Sequence, residues 1–209
     1  MRRGLGVLGA LLFLPGLGGQ ACADVFRLGF VGVVRNGVGG VEGLGGPVAM
    51  VLSPDGAHAY VASGPDSAVV VLRRDRKTGT LSFVQEQVNG VGGVTGLGAP
   101  AGPRAVDVSP DGRHVYVAAA GDGAVAVFAR DPATGALAFV QAKREGVDGV
   151  HGLGGAWSVA DGAYGQHLYA ASFADHAVAV FARDATTGAL TFVETQVNGV
   201  GVVAGLEDP

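Results

Sequence analysis

The sequence predicts an all-β chain: a β-propeller of about three complete four-stranded blades with one leading outer strand, a partial ring. Three observations carry this expectation. The chain repeats itself, each copy reads as four short strands, and the copies are joined by a glycine-rich segment of fixed pattern. Phe30-Val31, Phe83-Val84, Phe139-Val140 and Phe192-Val193 are spaced by 53, 56 and 53 residues. Tyr60, Tyr116 and Tyr169 keep the steps 56 and 53, as do Gly79, Gly135 and Gly188. A fixed period of this size marks a repeat architecture. The extra residues of the middle interval fall in Ala99-Pro100-Ala101-Gly102-Pro103, a loop insertion.

The middle copy shows the elements in order. "RAVDV" (104–108) is a short apolar run, and Ser109-Pro110-Asp111-Gly112 supplies a tight reversal. "HVYVAAA" (114–120) follows, then the turn Gly121-Asp122-Gly123, then "AVAVFAR" (124–130). Asp131-Pro132-Ala133-Thr134-Gly135 turns again into "ALAFVQA" (136–142). These runs are β-branched or aromatic and bounded by turn formers, the signature of strands. Four antiparallel strands per copy is the composition of a propeller blade, whose two faces both pack against neighbours. That double burial explains why the strands do not alternate cleanly between apolar and charged. A β-sandwich is the competing architecture, but its strands need not repeat in sequence.

The linking segment "GVGGVEGLGG" (37–46) recurs at 90–97 and 146–153. It must run from the outer strand of one blade to the inner strand of the next. An extended threefold conformation is expected there, with Val38, Val41 and Leu44 forming one stripe against the seam between blades. The expected boundaries are a signal peptide at 1–23 and a partial β-propeller at 24–209. Within the latter come a leading strand at 25–33, blades at about 47–87, 103–142 and 156–196, and a final crossing loop at 197–209. Three blades do not close a ring. The missing blades are expected from the rest of a longer chain, or from self-association.

Of the 209 residues, 48% are hydrophobic and 15% charged, with 38 glycines, too apolar a composition for general disorder. A formal charge of −4 and the lack of a concentrated Lys/Arg face exclude nucleic acid as the expected partner. Arg2 and Arg3, an apolar stretch from Leu5 to Leu17, and Ala21-Cys22-Ala23 read as an export signal with its cleavage site. The stretch is too short and too rich in glycine for a transmembrane segment. The expected location is extracytoplasmic, secreted or periplasmic. Cys22 is the sole cysteine, so no intramolecular disulfide forms; cleavage that removes Cys22 is favoured over its use as a lipid anchor. Gly4-Leu5-Gly6-Val7-Leu8-Gly9 spells a dinucleotide fingerprint but follows no strand, and is set aside.

"VSPDGRHVYVAAAGDGAVAVFARDPATGALAFVQ" (108–141) resembles the lactonase-like seven-bladed propeller family, named after 6-phosphogluconolactonase. The same pattern occurs at 52–84 and, less perfectly, at 161–193, so the resemblance covers nearly all of the chain after its first 23 residues. It implies the architecture strongly and an activity only through the family name, because these motifs are the repeating scaffold.

Repetition separates scaffold from site. His58, His114 and His167 share one repeat position, Asp66, Asp122 and Asp175 another, and Asp55 and Asp111 belong to the S-P-D-G reversal; all eight are expected to be structural. Residues that break the repeat are the site candidates. Arg104 stands where the other copies have Val48 and Trp157, at the start of the innermost strands near the channel mouth. Asp148 replaces Gly39 and Gly92, His151 replaces Glu42 and Thr95, Arg144-Glu145 replaces Arg35-Asn36 and Val88-Asn89, and Asp161 replaces Leu52 and Val108. The expected catalytic pair is His151 as base and Arg104 as anchor for an anion or oxyanion. Arg144, Glu145, Asp148, Trp157 and Asp161 are the expected ligand-binding residues. No cofactor is implied, and no metal, since no further ligands join His151 and Asp148 and the loops lack a calcium repeat. No G-x-S-x-G nucleophile elbow is present. The leading functional expectation is an exported scaffold whose loop face binds a small-molecule or protein ligand. The alternative is a hydrolase that opens a sugar lactone at the channel mouth.

Overall fold

In the computed structural model, residues 29–200 are described. The expected signal peptide, its Ala21-Cys22-Ala23 site and the last nine residues of the crossing loop lie outside them. The sheets all belong to one compact unit, Val31–Pro209. It contains twelve described strands: β1 (Pro47–Leu52), β2 (His58–Ser63), β3 (Ala68–Arg74), β4 (Leu81–Val88), β5 (Pro103–Val108), β6 (His114–Ala119), β7 (Ala124–Arg130), β8 (Leu137–Arg144), β9 (Ala156–Asp161), β10 (His167–Ser172), β11 (Ala177–Arg183) and β12 (Leu190–Val197). They form three four-stranded antiparallel sheets in the orders β1-β2-β3-β4, β5-β6-β7-β8 and β9-β10-β11-β12. These are the three expected blades of a partial propeller. Their innermost strands β1, β5 and β9 lie side by side. No helix among the described residues is long and apolar enough to cross a membrane.

Of the expected leading strand, residues 25–28 lie outside the described residues, and 29–33 form no ladder. An outer strand exists only by pairing, and each third strand here already pairs with β4, β8 or β12. The segment instead brings Val34 against the first blade, where it packs with Leu44 on Ala59, Val61, Val70 and Leu72.

The seam between the first two blades holds Tyr60, Val69, Val71, Val115, Val117 and Phe128, all fully buried. The second seam holds Tyr116, Val125, Val127, Leu168 and Phe181. Edge-to-face aromatic pairs recur in the second and third blades, Phe128 on Phe139 at 5.7 Å and Phe181 on Phe192 at 5.8 Å. Small residues let the sheets approach, and burial of the branched side chains drives the stacking.

One polar device fastens each seam. The arginine ending the third strand of a blade reaches back into the blade before it. Arg130 donates through Nε to Tyr60 Oη (2.6 Å), through Nη2 to Asp55 Oδ2 (2.8 Å) and to His58 Nδ1 (3.0 Å), and through Nη1 to Gly112 O of its own blade (2.8 Å). Arg183 repeats the set on Tyr116, Asp111, His114 and Gly165 at 2.6, 2.7, 2.9 and 2.7 Å. Tyr60 Oη in turn donates to Gly135 O (3.0 Å), and Tyr116 Oη to Gly188 O (3.4 Å). Because arginine is donor-only, each histidine accepts at Nδ1 and is neutral. Burial first, then the adjacent guanidinium, pushes both imidazoles below their ordinary range. Burial opposes ionisation of Asp111, but its bonds from Ser109, Arg183 and the Arg113 N–H outweigh this and hold it at about 2. The repeated His and Asp residues of these two seams are therefore scaffold, as expected.

The TG turns complete the lock. Gly135 and Gly188 have φ of +78° and +74°, and a Cβ on either would stand 2.2 Å from Cδ2 of His58 or His114. Gly188→Ala should therefore destabilise the chain by about 2 kcal/mol or more through strain and overpacking. A denaturant midpoint equal to wild type would refute this.

The linking segments depart from the expected extended form. Gly90, Gly92, Gly93 and Gly96 have φ between +58° and +85°, a left-handed region foreign to a threefold extended helix. The segment closes on itself, with Gly90 N–H donating to Val94 O and Val94 N–H to Val91 O. Consequently the three apolar residues do not form one stripe. Val91 is exposed, while Val94 and Leu97 are buried in the seam. Carboxylates of the next blade secure the arriving chain: Asp122 accepts from Gly98 N–H (2.9 Å) and Asp175 from Gly154 N–H (2.6 Å).

Candidate functional site

Each innermost strand begins with an irregularity at the same place. In β1 the ladder runs from Pro47↔Ser63 directly to Ala49↔Ala62, so Val48 is bulged out. In β5 it skips Arg104, and in β9 it skips Trp157. A bulge re-aims the side chain it releases. The repeat position that differs in all three copies as Val48, Arg104 and Trp157 is thus a position that the backbone turns out of the ladder.

Two of these residues meet across the blades. The Arg104 guanidinium carbon lies 4.7 Å from the Trp157 ring centroid, a cation–π arrangement. Arg104 Nε is buried with no hydrogen-bond partner. Trp157 in turn meets Phe173, with centroids 6.0 Å apart, and the two are 52% and 57% exposed. Partly exposed aromatic faces beside a fixed cation suit a ring-shaped ligand that carries negative charge or develops it. Phe173 was not among the sequence candidates. Its signal was nonetheless present, since the other copies have Gly64 and Ala120 at that place.

A second cluster forms on the crossing loop at the same end of the blades. His151 Nδ1 lies 3.3 Å from Glu145 Oε1, and Glu145 Oε2 accepts from Leu153 N–H at 2.7 Å. That second bond has a scaffold counterpart, because Asn36 and Asn89 accept from Leu44 and Leu97 N–H in the same way. The carboxylate thus keeps the loop-closing role and has an oxygen left to orient His151. His151 is 69% exposed at its side chain, and its carbonyl accepts from Thr195 on the outermost strand β12. Arg104 lies on an innermost strand, so no contact joins the expected base to the expected anchor.

The other candidates scatter. Arg144 Nη2 lies 3.6 Å from Asp122 Oδ2 and supports the loop anchor. Asp148 is exposed at φ +54°, replacing a left-handed glycine in a conformation that aspartate tolerates. Asp161 ends β9, at the opposite end from Trp157, with its side chain 2% exposed. Neither carboxylate oxygen has a hydrogen-bond partner, and Arg183 Nε is 3.7 Å away. Burial, with Asp107 and Asp111 adding repulsion, raises Asp161 to about 6 although Arg183 opposes it. It is closed off from any ligand at the Trp157 end. Among the described residues no three His, Cys, Asp or Glu side chains gather to hold a metal.

Stacked four-stranded antiparallel blades, each with a bulge at the start of its inner strand, define a β-propeller. The family model for the lactonase 7-bladed β-propeller matches residues 37–204, and the chain belongs to that family. No curated protein matches the chain. Among solved structures it is similar to the periplasmic gluconolactonase PpgL of Pseudomonas aeruginosa, at 27% identity and TM-score 0.62, over 78% of this chain and 41% of that one. It is also similar to a candidate 6-phosphogluconolactonase of Bacteroides uniformis, at 25% identity and TM-score 0.60, over 72% and 40%. A Lactobacillus plantarum protein at 24% identity and TM-score 0.62, over 76% and 42%, shares the fold. The chain spans less than half the length of these structures.

Proposed function

We propose that this chain serves the hydrolytic opening of a sugar lactone, with Arg104, Trp157 and Phe173 holding the ring. The observation that carries the reading is the Arg104–Trp157 pair on two successive bulges, in a chain of the lactonase family. Water adds to the lactone carbonyl carbon, negative charge gathers on the carbonyl oxygen, and the ring C–O bond breaks to give a hydroxy acid. Arg104 offers a fixed cation for that oxygen, poorly solvated at Nε. The aromatic faces pack on the sugar ring. His151, oriented by Glu145 over the outermost strand β12, lies outside the reach that a general base needs and takes no part in this step. Export by residues 1–23 belongs to the same proposal, and the periplasmic location of one similar structure supports it.

The test is acid release from a panel of sugar lactones. Arg104→Ala should lower kcat/KM by about a hundredfold or more, the scale of one lost oxyanion contact. Trp157→Ala should act mainly on KM. His151→Ala should leave kcat/KM close to the wild-type value, because its exposed side chain stands over the outermost strand, away from the group that holds the ring. Wild-type rates no faster than the uncatalysed background would reject the hydrolase. Saturable lactone binding without turnover would then favour the ligand-binding scaffold.

A further inference from the structure

The two ends of the blades differ. The crossing loops and the Arg104–Trp157 pair lie at one end; at the other lie the β1–β2 reversals and the β3–β4 type hairpins. There the first two blades enclose a cleft of about 930 Å³. One wall is the first blade's hairpin, "RRDRKTG" (73–79), and the other is Pro132 and Ala133 of the second blade's hairpin. Arg73 stands opposite His58 in the ladder and beside Ser82 on the next strand, in a row facing the second blade. Arg74, Arg76 and Lys77 also line the cleft.

These cations break the repeat. The second blade has Ala129, Pro132 and Ala133 where the first has Arg73, Arg76 and Lys77, and the third has Ala182, Ala185 and Thr186. Only the lock arginine is common to all three; Arg74 donates to Gly56 O as Arg130 and Arg183 donate to their own glycines. Among the described residues, Arg73, Arg76 and Lys77 make no ion pair. The one carboxylate in the cleft, Asp75, is engaged by the Lys77 and Thr78 N–H groups of its own turn. Net negative charge overall makes this concentration of unpaired positive charge a local feature. Contrary to the expectation of no concentrated cationic face, the contiguous run from Arg73 to Lys77 forms a small one on this hairpin.

We propose that this cleft binds a phosphoanion, as a soluble phosphorylated molecule or a phospholipid headgroup. Guanidinium groups match phosphate oxygens with paired donors, while a lysine adds a point charge. The extra cations are confined to one hairpin, and the next blade has Ala129, Pro132 and Ala133 in place of Arg73, Arg76 and Lys77, so there is no track for a long polymer. The site is separate from the Arg104–Trp157 end, and its failure leaves that reading untouched.

The test uses inorganic pyrophosphate in calorimetric titrations of the full chain at low ionic strength. The variant Arg73→Ala/Arg76→Pro/Lys77→Ala writes the second blade's hairpin into the first, a sequence this backbone already accommodates. Wild type should bind saturably, more weakly as salt rises, and the variant should bind at least about tenfold less tightly. Sedimentation with phosphatidylglycerol vesicles, against phosphatidylcholine vesicles, identifies the source. Loss of anionic-vesicle binding in the variant supports a headgroup, and pyrophosphate binding without sedimentation supports a soluble molecule. Equal affinities in wild type and variant, or wild type that binds neither probe, would overturn the site.

Discussion

Arg183→Met should destabilise the chain by about 3–5 kcal/mol, the cost of leaving buried partners without their cation. Arg183 is 1% exposed at its side chain and serves four acceptors in two blades. Methionine fills much of the space and donates nothing. The loss has a pH signature. Asp111, held at about 2 in the folded chain, contributes stability that is present above its ordinary value of 3.8 and is lost as pH falls through about 2. Without Arg183 that contribution shrinks, so the variant's deficit should be largest near neutral pH and narrow in acid. Arg183→Lys should recover only part, since an ammonium cannot reproduce the fork. Equilibrium denaturation at pH 7 and pH 3 decides the matter: a variant within about 1 kcal/mol of wild type at pH 7 would mean that the lock is ornamental.

Asp161→Val should stabilise the chain. The equivalent Val108 is buried in the first seam, so such a seam accommodates an apolar side chain there, whereas Asp161 is buried with neither oxygen hydrogen-bonded. Its carboxyl is raised to about 6 from 3.8, so the native state holds this proton more tightly than the unfolded chain. Stability from this group is therefore full below about pH 3.8 and declines as pH rises to about 6, by up to about 3 kcal/mol. Valine should gain about 1–3 kcal/mol above pH 7, and the gain should shrink below pH 4. Arg183 keeps Asp111, Tyr116 and Gly165 O in the variant. A pH-independent difference, or a loss at pH 8, would show that Arg183 pairs with Asp161 more strongly than a 3.7 Å separation implies.

Part of the candidate site was legible because a repeat supplies its own control. Arg104 and Trp157 differ from Val48 at a position that should be uniform if it were scaffold, and that position is a bulge in all three inner strands. Asp161 departs from the repeat yet is buried, because a departure from the repeat records a change without recording whether the residue faces solvent. Phe173 and the run from Arg73 to Lys77 depart from the repeat in the same way, against Gly64 and Ala120 and against Ala129, Pro132 and Ala133. His151 and Arg104 looked like partners by residue type alone, and the width of a blade separates them.

The amino-acid order by itself determined the four-strand unit, its turns and its threefold recurrence, because strand propensity, proline, glycine and apolar runs act within a few residues of one another. Tertiary structure alone decided what each strand buries: β6, "HVYVAA", is buried throughout between two neighbours, whereas β10, "HLYAAS", alternates, and Tyr169 is 42% exposed where Tyr116 is covered. It alone brought Arg130 to Tyr60 and Asp55, and Arg104 to Trp157, across more than fifty residues of chain. Such partners are chosen by the stacking of whole sheets, whose geometry no local stretch contains.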